Sequence, residues 1–121
     1  MRRIRVLVGD VPAEVKQWID WVSQVNPAIE IVGHARDTVT LLLTVSQTDA
    51  EVVIAALKAD GGEPGHVSHL LGEYPYLIVL ALGSDLSSAA IFRLALKRED
   101  IPTAEPGAVW AQVSRIVESR C

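Results

Sequence analysis

The stretch Glu51-Val52-Val53-Ile54-Ala55-Ala56-Leu57 is apolar after its first residue and rich in Val and Ile. A run of this kind is typical of a central strand that helices bury on both faces of a parallel sheet. A second such run, Tyr76-Leu77-Ile78-Val79-Leu80-Ala81-Leu82, follows after a Gly-rich loop over Lys58–His66 and a short helix over Val67–Glu73. The two runs predict the centre of an α/β domain, in which ligands bind at the carboxyl ends of the strands.

The other segments alternate between strand and helix patterns. Further strands are predicted over Ile4–Val8, Ile29–Gly33 and, weakly, Ile101–Ala104. Further helices are predicted from Asp10 and Pro12 to Val25, from Asp37 to Val45, over Leu86–Arg98 after a cap at Ser84 or Asp85, and from Pro106 onward. Five β-α units predict right-handed crossovers and a five-stranded parallel sheet in the order 2-1-3-4-5. The expected fold is a flavodoxin-like three-layer sandwich.

Length, composition and charge narrow the class of protein. The 121 residues, half of them hydrophobic, predict one folded domain over positions 1–121. The net charge of −4 and the pI near 5.3 argue against a nucleic-acid-binding surface on this domain. Asp10 comes too early for a signal-peptide core, and no apolar run approaches the roughly 20 residues of a membrane span. The single cysteine, Cys121, allows no internal disulfide, so we expect a cytoplasmic protein.

Three stretches resemble the receiver domain of bacterial response regulators. They are Ile4–Asp10, followed by Val11-Pro12, then Asn26–Ala35, and Asp49–Leu57. The resemblance extends over nearly the whole chain and implies a CheY-like domain of a two-component signalling pathway. It also implies that the chain could be the amino-terminal part of a longer regulator with an output domain.

The residues that carry receiver chemistry are largely replaced in this sequence. In the family, an aspartate at the end of the third strand accepts a phosphoryl group, and two acidic residues after the first strand help to hold Mg²⁺. By resemblance, these positions read Ala56 and Gly9-Asp10. The family's Thr or Ser after the fourth strand reads Ala81, and its Lys-Pro pair is best matched by Glu105-Pro106.

These replacements predict a pseudo-receiver that does not accept a phosphoryl group. Ala56 has no nucleophile, and Asp10 alone leaves too few anionic oxygens for a hard cation. We therefore expect no enzymatic activity, no cofactor and no bound metal, with Asp10 as the one weak candidate ligand and a helix cap as its favoured role. The three histidines, His34, His66 and His69, lack the pattern of a metal site.

Regulation would then depend on protein partners: a kinase, an output domain or another regulator. Trp18 and Trp21 flank the apolar stripe of the first helix, and each is either partly buried or an exposed anchor for a partner. The family also uses its fourth helix, fifth strand and fifth helix as an output and homodimer surface. By that resemblance, charged pairs are expected there from a set of four residues, namely Arg93, Lys97, Asp100 and Arg115.

Two alternatives stay open. One is an active phosphorelay receiver with a displaced acceptor, Asp60 or Asp49, although Asp60 lies in a Gly-rich loop that favours a solvated turn residue. The other is a flavodoxin-like domain that binds a small ligand such as a nucleotide or flavin in its crevice. Against the second stands the lack of a phosphate-binding loop after the first and third strands.

Overall fold

The computed structural model of the protein describes residues 3–58, 62, 67–93, 97–101 and 104–119. Within these residues the helices are α1 (Ala13–Val25), α2 (Thr38–Thr48), α3 (Val67–Glu73) and α4 (Pro106–Ser119). The strands are β1 (Ile4–Val8), β2 (Ile29–His34), β3 (Val52–Ala56), β4 (Ile78–Leu82), β5 (Ala89–Arg93) and β6 (Lys97–Ile101). The predicted loop residues Asp60 and His66, together with Cys121, lie outside the described residues.

The strands form one sheet in the order β2-β1-β3-β4-β5-β6. The first four strands in this order, β2, β1, β3 and β4, pair in parallel, with Val8 opposite Ile54 and Ile54 opposite Leu80. Strand β5 pairs antiparallel with β4, and β6 pairs antiparallel with β5, so β6 again runs in the direction of β4. The flavodoxin-like class is thus confirmed, with a mixed six-stranded sheet where five parallel strands were predicted.

A β-hairpin replaces the predicted helix Leu86–Arg98, and that prediction was wrong. Four consecutive apolar residues, Ala89-Ala90-Ile91-Phe92, are buried on alternate faces of the sheet. This is the pattern of a strand that is buried on both faces. The Asp85 carboxylate accepts hydrogen bonds from the backbone N–H and hydroxyl of Ser87, so it closes a tight turn and caps no helix. The strand predicted over Ile101–Ala104 was misplaced. The observed strand β6 spans Lys97–Ile101, so the two share only Ile101.

Two apolar layers cover the sheet. The first core cluster joins one face of the sheet to α1 and α4 and includes Val8, Ile54 and Leu82. The second core cluster joins the other face to α2 and α3 and includes Leu7, Val53 and Ala81. Among the described residues no polar or charged side chain is fully buried, so hydrophobic burial is the main force that holds the three layers together.

Candidate functional site

The carboxyl ends of β1, β3 and β4 meet at one edge of the sheet. Ala56 lies opposite Leu82 in the β3–β4 ladder, and the Gly9 N–H donates to the Ile54 carbonyl oxygen at 2.8 Å. A Cβ atom at Gly9 would lie 3.0 Å from that same oxygen, so a larger residue there requires the backbone to move. The close approach of β1 and β3 thus makes position 9 a tight place for any side chain, and glycine fits it without a shift of the neighbouring backbone.

Ala56 and Ala81 lie on opposite faces of the sheet. The methyl group of Ala56 is partly buried against the first core cluster, whereas Ala81 is fully buried in the second. The residue opposite Ala81 in the ladder is Ala55. The sheet therefore brings neither a nucleophile nor a hydroxyl group to the positions that the receiver resemblance marks.

Asp10 does not cap α1, so its predicted structural role was wrong. The N-cap of α1 is Pro12, which makes no side-chain capping hydrogen bond, and Asp10 is exposed two residues before it. Extended backbone at Pro12 already sets the entry into the helix. No three His, Cys, Asp or Glu side chains in the described part of the chain are close enough together to hold a metal ion.

Glu105 caps α4. Its two carboxylate oxygens accept hydrogen bonds from the backbone N–H groups of Gly107 and Ala108, each at 2.9 Å. The bond from Gly107, followed by that from Ala108, lowers the pKa of the Glu105 carboxyl from its ordinary value. The negative charge also lies at the positive end of the helix dipole. Glu105, the residue that the receiver resemblance matches to a lysine, thus has structural partners of its own.

A polar cavity of about 180 Å³ adjoins the same edge of the sheet. It is formed by the exit from β3 and the β4–β5 turn, and the residues that line it are Leu57, Lys58, Gly83, Ser84, Asp85, Ser87 and Ser88. The hydroxyl of Ser87 and then its backbone N–H lower the pKa of the Asp85 carboxyl. The run Gly83–Ser88 was the sequence signal for this cavity, but it was interpreted as a helix start.

The two tryptophans of α1 have different environments. Trp18 is partly buried, donates its indole N–H to the Ala104 carbonyl oxygen at 3.2 Å, and stacks on Trp110 with ring centroids 6.5 Å apart. Trp21 has 52% of its surface exposed. Of the predicted pair, Trp18 is therefore tied to the fold and Trp21 alone is presented to solvent.

Trp21 belongs to a groove between α1 and α4, which we call the α1–α4 groove. Its volume is about 410 Å³, and its lining residues are Trp21, Val22, Val25, Asn26, Glu105, Pro106, Gly107, Trp110, Ala111 and Ser114. Val25 is 56% exposed, while Trp110 is buried with its indole N–H unpaired. The sequence did not predict this groove, because the pairing of α1 with α4 that creates it is not encoded in either helix alone.

The four charged residues of the predicted output surface are spread over three elements. Arg93 ends β5 opposite Lys97 on β6, and Asp100 is exposed on β6. Arg115 is exposed on α4. Because a hairpin stands where the family's fourth helix was expected, the surface formed by helix 4, strand 5 and helix 5 is not present in its predicted form.

Asp49, one proposed substitute for the acceptor, lies at the other end of the sheet. It ends α2 in a left-handed conformation, with φ of 55°, three residues before β3 begins. The carboxyl edge is at the far end of β3. Asp49 therefore cannot act from the position of a receiver acceptor.

Solved structures with a similar fold include receiver domains and a response regulator. The isolated receiver domain of RcsB from Salmonella enterica serovar Typhimurium is 20% identical with a TM-score of 0.56, and the match covers 68% of this chain and 62% of that chain. The signal receiver domain of the putative regulator NarL from Mycobacterium tuberculosis is 19% identical with a TM-score of 0.54, covering 69% and 68%. An RcsB response regulator of Salmonella typhimurium is 23% identical with a TM-score of 0.62, covering 98% and 68%.

These similarities define the class of fold: the chain has a receiver-like fold with an added antiparallel strand. The chain spans less than two thirds of the RcsB receiver chain. No protein-family model and no curated protein sequence matches it. Among the described residues, the helices are too short or too polar to cross a membrane.

Proposed function

We propose that this domain is a pseudo-receiver: a regulatory, protein-binding module of a bacterial two-component or related pathway that acts without phosphorylation. The observation that carries the proposal is Ala56, a partly buried methyl group at the end of β3 where a receiver needs a carboxylate. Two other positions support the proposal. Gly9 lies tightly against the Ile54 carbonyl oxygen, and Glu105 caps α4. Because none of these three positions carries a nucleophile, we expect no phosphoryl transfer there.

An amide NMR titration of the full chain with Mg²⁺ and then beryllofluoride, a phosphoryl mimic, tests whether the carboxyl edge of the sheet binds a metal ion or a phosphoryl group. We expect no saturable shift at Gly9, Asp10 or Ala56. Saturable shifts there would overturn the proposal and direct attention to a substitute carboxylate, beginning with Asp60. Treatment with acetyl phosphate and Mg²⁺, followed by intact-mass measurement, gives an independent result, and a protein that gains one phosphoryl group contradicts the proposal.

Partner binding through the α1–α4 groove follows from the exposed apolar surface there. Trp21 and Val25 are both more than half exposed beside the groove, and exposed aromatic residues are typical anchors of protein interfaces. The expected partners are a kinase, an output domain or another regulator, presented as purified proteins from the same organism. Trp21→Ala should weaken binding at least tenfold, whereas Leu43→Ala, which removes a similarly exposed apolar side chain from α2, should leave it unchanged. If Trp21→Ala and Leu43→Ala changed the binding affinity equally, the partner would not bind at the α1–α4 groove.

Binding of a small ligand is the second candidate function, and the polar cavity beside β3 and β4 favours it. Open α/β sheets bind ligands at this edge. Native mass spectrometry and absorbance of the purified chain would detect a retained nucleotide or flavin. A retained molecule that is lost in Ser88→Val but kept in Trp21→Ala would support this candidate over partner binding.

A further inference from the structure

The solvent-facing side of α2 carries no charge. None of the 11 residues of this helix, Thr38–Thr48, is ionisable. Leu41 and Val45 are buried in the second core cluster, whereas Val39 and Leu43 have 67% and 59% of their surface exposed. The α2 face, as we call it, comprises the exposed residues Val39, Thr40, Leu43, Ser46 and Gln47. Charged residues are depleted from the centre of protein interfaces, so this composition favours contact with another protein surface.

The threonine hydroxyls of α2 already have hydrogen-bond partners. Thr44 donates to the Thr40 carbonyl oxygen at 2.6 Å, and Thr48 donates to the Thr44 carbonyl oxygen at 2.7 Å. Thr40 donates its own hydroxyl to the Asp37 carboxylate at 3.0 Å. Burying a hydroxyl costs free energy mainly when it loses its hydrogen bonds. These three hydroxyls would keep their bonds under a second surface, so the polar cost of covering them is small.

The helix is also held in place before anything covers it. The Asp37 carboxylate accepts a hydrogen bond from the Thr40 N–H at 2.8 Å and caps the start of α2. Near the middle of the helix, the Tyr74 hydroxyl donates to the Leu42 carbonyl oxygen at 2.6 Å. A surface that is already ordered loses little conformational freedom when it binds.

The charges at the two ends of α2 favour a second copy of the chain as the occupant. The net charge of −4 opposes self-association in general, but the α2 face contributes nothing to that repulsion. Arg36 precedes the helix and Asp49 ends it, and both residues are exposed. An antiparallel copy brings each Arg36 towards the other copy's Asp49, whereas a parallel copy sets like charges together. Each charge then also lies at the end of the other helix whose dipole favours it.

We propose that two copies of this chain form a weak dimer, in which the α2 faces pack antiparallel across a two-fold axis near Leu43. The Leu43 side chains of the two copies meet at the axis, and Val39 of each copy packs towards Gln47 of the other. The uncharged centre is thus flanked at both ends by a pair of opposite charges. One helix from each copy makes a small contact, so the dimer is reversible and transient.

This interface differs from the surface of helix 4, strand 5 and helix 5 that the receiver resemblance implies. It also differs from the α1–α4 groove, because α2 covers the opposite face of the sheet from α1 and α4. The inference does not rest on the proposed function, since the α2 face is the same whether or not the carboxyl edge accepts a phosphoryl group.

Sedimentation equilibrium of the full chain over a wide concentration range tests the proposal. We expect a reversible dimer, and Leu43→Glu should raise its dissociation constant about tenfold or more, because two carboxylates would meet at the axis. Trp21→Ala, which removes a similarly exposed apolar side chain from α1, should leave the dimer unchanged. Well below the dissociation constant, Leu43→Ala should remain a neutral change for groove binding and for monomer stability, since that side chain is mostly exposed there.

Exchange of the two end charges tests the antiparallel direction. Arg36→Asp alone and Asp49→Lys alone each set like charges together at both ends, so each should raise the dissociation constant about threefold or more. An equal mixture of these two variants has opposite charges at both ends and should regain the original affinity as a heterodimer. The double variant with Arg36→Asp and Asp49→Lys should do the same as a homodimer. Far-ultraviolet circular dichroism checks that each variant is folded.

A chain that stays monomeric at every concentration overturns the proposal. So does a dimer that Leu43→Glu leaves intact, or a mixture of the two charge variants that binds no better than either alone. None of these results bears on the Mg²⁺ and beryllofluoride titration, so failure of this inference is distinguishable from failure of the proposed function.

Discussion

At the scale of single residues, Glu105 predicts how stability changes with pH. The backbone N–H groups of Gly107 and Ala108 bind its ionised form and lower its pKa in the folded state. A carboxyl with a depressed folded pKa stabilises the fold at pH values above its unfolded pKa, and this contribution is lost as the pH falls through the folded value. Glu105→Gln should therefore be less stable than the original chain at neutral pH, and the difference should shrink as the pH falls below 4.5, the ordinary pKa of a glutamate carboxyl.

Urea unfolding of the two proteins at a series of pH values measures this effect. Glu105→Asp serves as the matched control, because Asp is also a favoured N-cap and keeps the charge. The Asp variant should follow the pH dependence of the original chain more closely than the Gln variant does. A difference between Glu105→Gln and the original chain that does not change with pH would mean that the charge of the cap contributes nothing.

At the scale of elements, the β5–β6 hairpin marks where sequence reasoning stopped being reliable. Strands β1 to β4 and helices α1 to α3 were predicted in order, because their apolar runs and helix periods are long and well punctuated. The segment after Asp85 contains Ala89, Ala90, Ala95 and Leu96, which favour a helix intrinsically, and it follows Ser and Asp residues that commonly cap helices. Tertiary burial on both faces overrides that preference for β5.

The candidate site, too, could be predicted only in part from the sequence. The residue types at Gly9, Ala56 and Glu105 were evident from the sequence, but their surroundings were not. The distance from Gly9 to the Ile54 carbonyl oxygen and the capping bonds of Glu105 depend on how separate elements pack. The α1–α4 groove likewise arises only when Trp110 of one helix packs beside Trp21 of another.

Phe92 provides the test of the hairpin. Its side chain is 2% exposed in the second core cluster, so Phe92→Ala should cost about 3–5 kcal/mol in the free energy of unfolding. Leu43→Ala, on the exposed side of α2, should change it by no more than about 0.5 kcal/mol. Urea unfolding measures both. A cost at Phe92 as small as that at Leu43, or a helical pattern of NMR shifts over residues 89–93, would contradict the strand.

At the scale of the whole molecule, several positions at the carboxyl edge have structural roles that support one another. Gly9 allows β1 to approach β3, Ala56 completes the first core cluster, and Glu105 holds the start of α4. Introducing one reactive residue should therefore not be enough to produce receiver chemistry. The Mg²⁺ site would still lack a second acidic residue after β1, and the lysine that pairs with the phosphoryl group would still be absent.

Ala56→Asp tests this interdependence. We expect the variant to gain no phosphoryl group from acetyl phosphate with Mg²⁺, as measured by intact mass, and to lose about 1–3 kcal/mol of stability because a polar group enters a partly buried apolar position. Ala56→Leu is the control that adds bulk without charge, and it separates steric from polar cost. If the introduced carboxylate were phosphorylated, Asp10 alone would suffice to hold the metal, and the edge would be one substitution away from an active receiver. If it stays unmodified while the protein remains folded, the lack of phosphorylation in this variant is a property of the whole edge and not of position 56 alone, which would favour the proposal that the domain signals through partner binding.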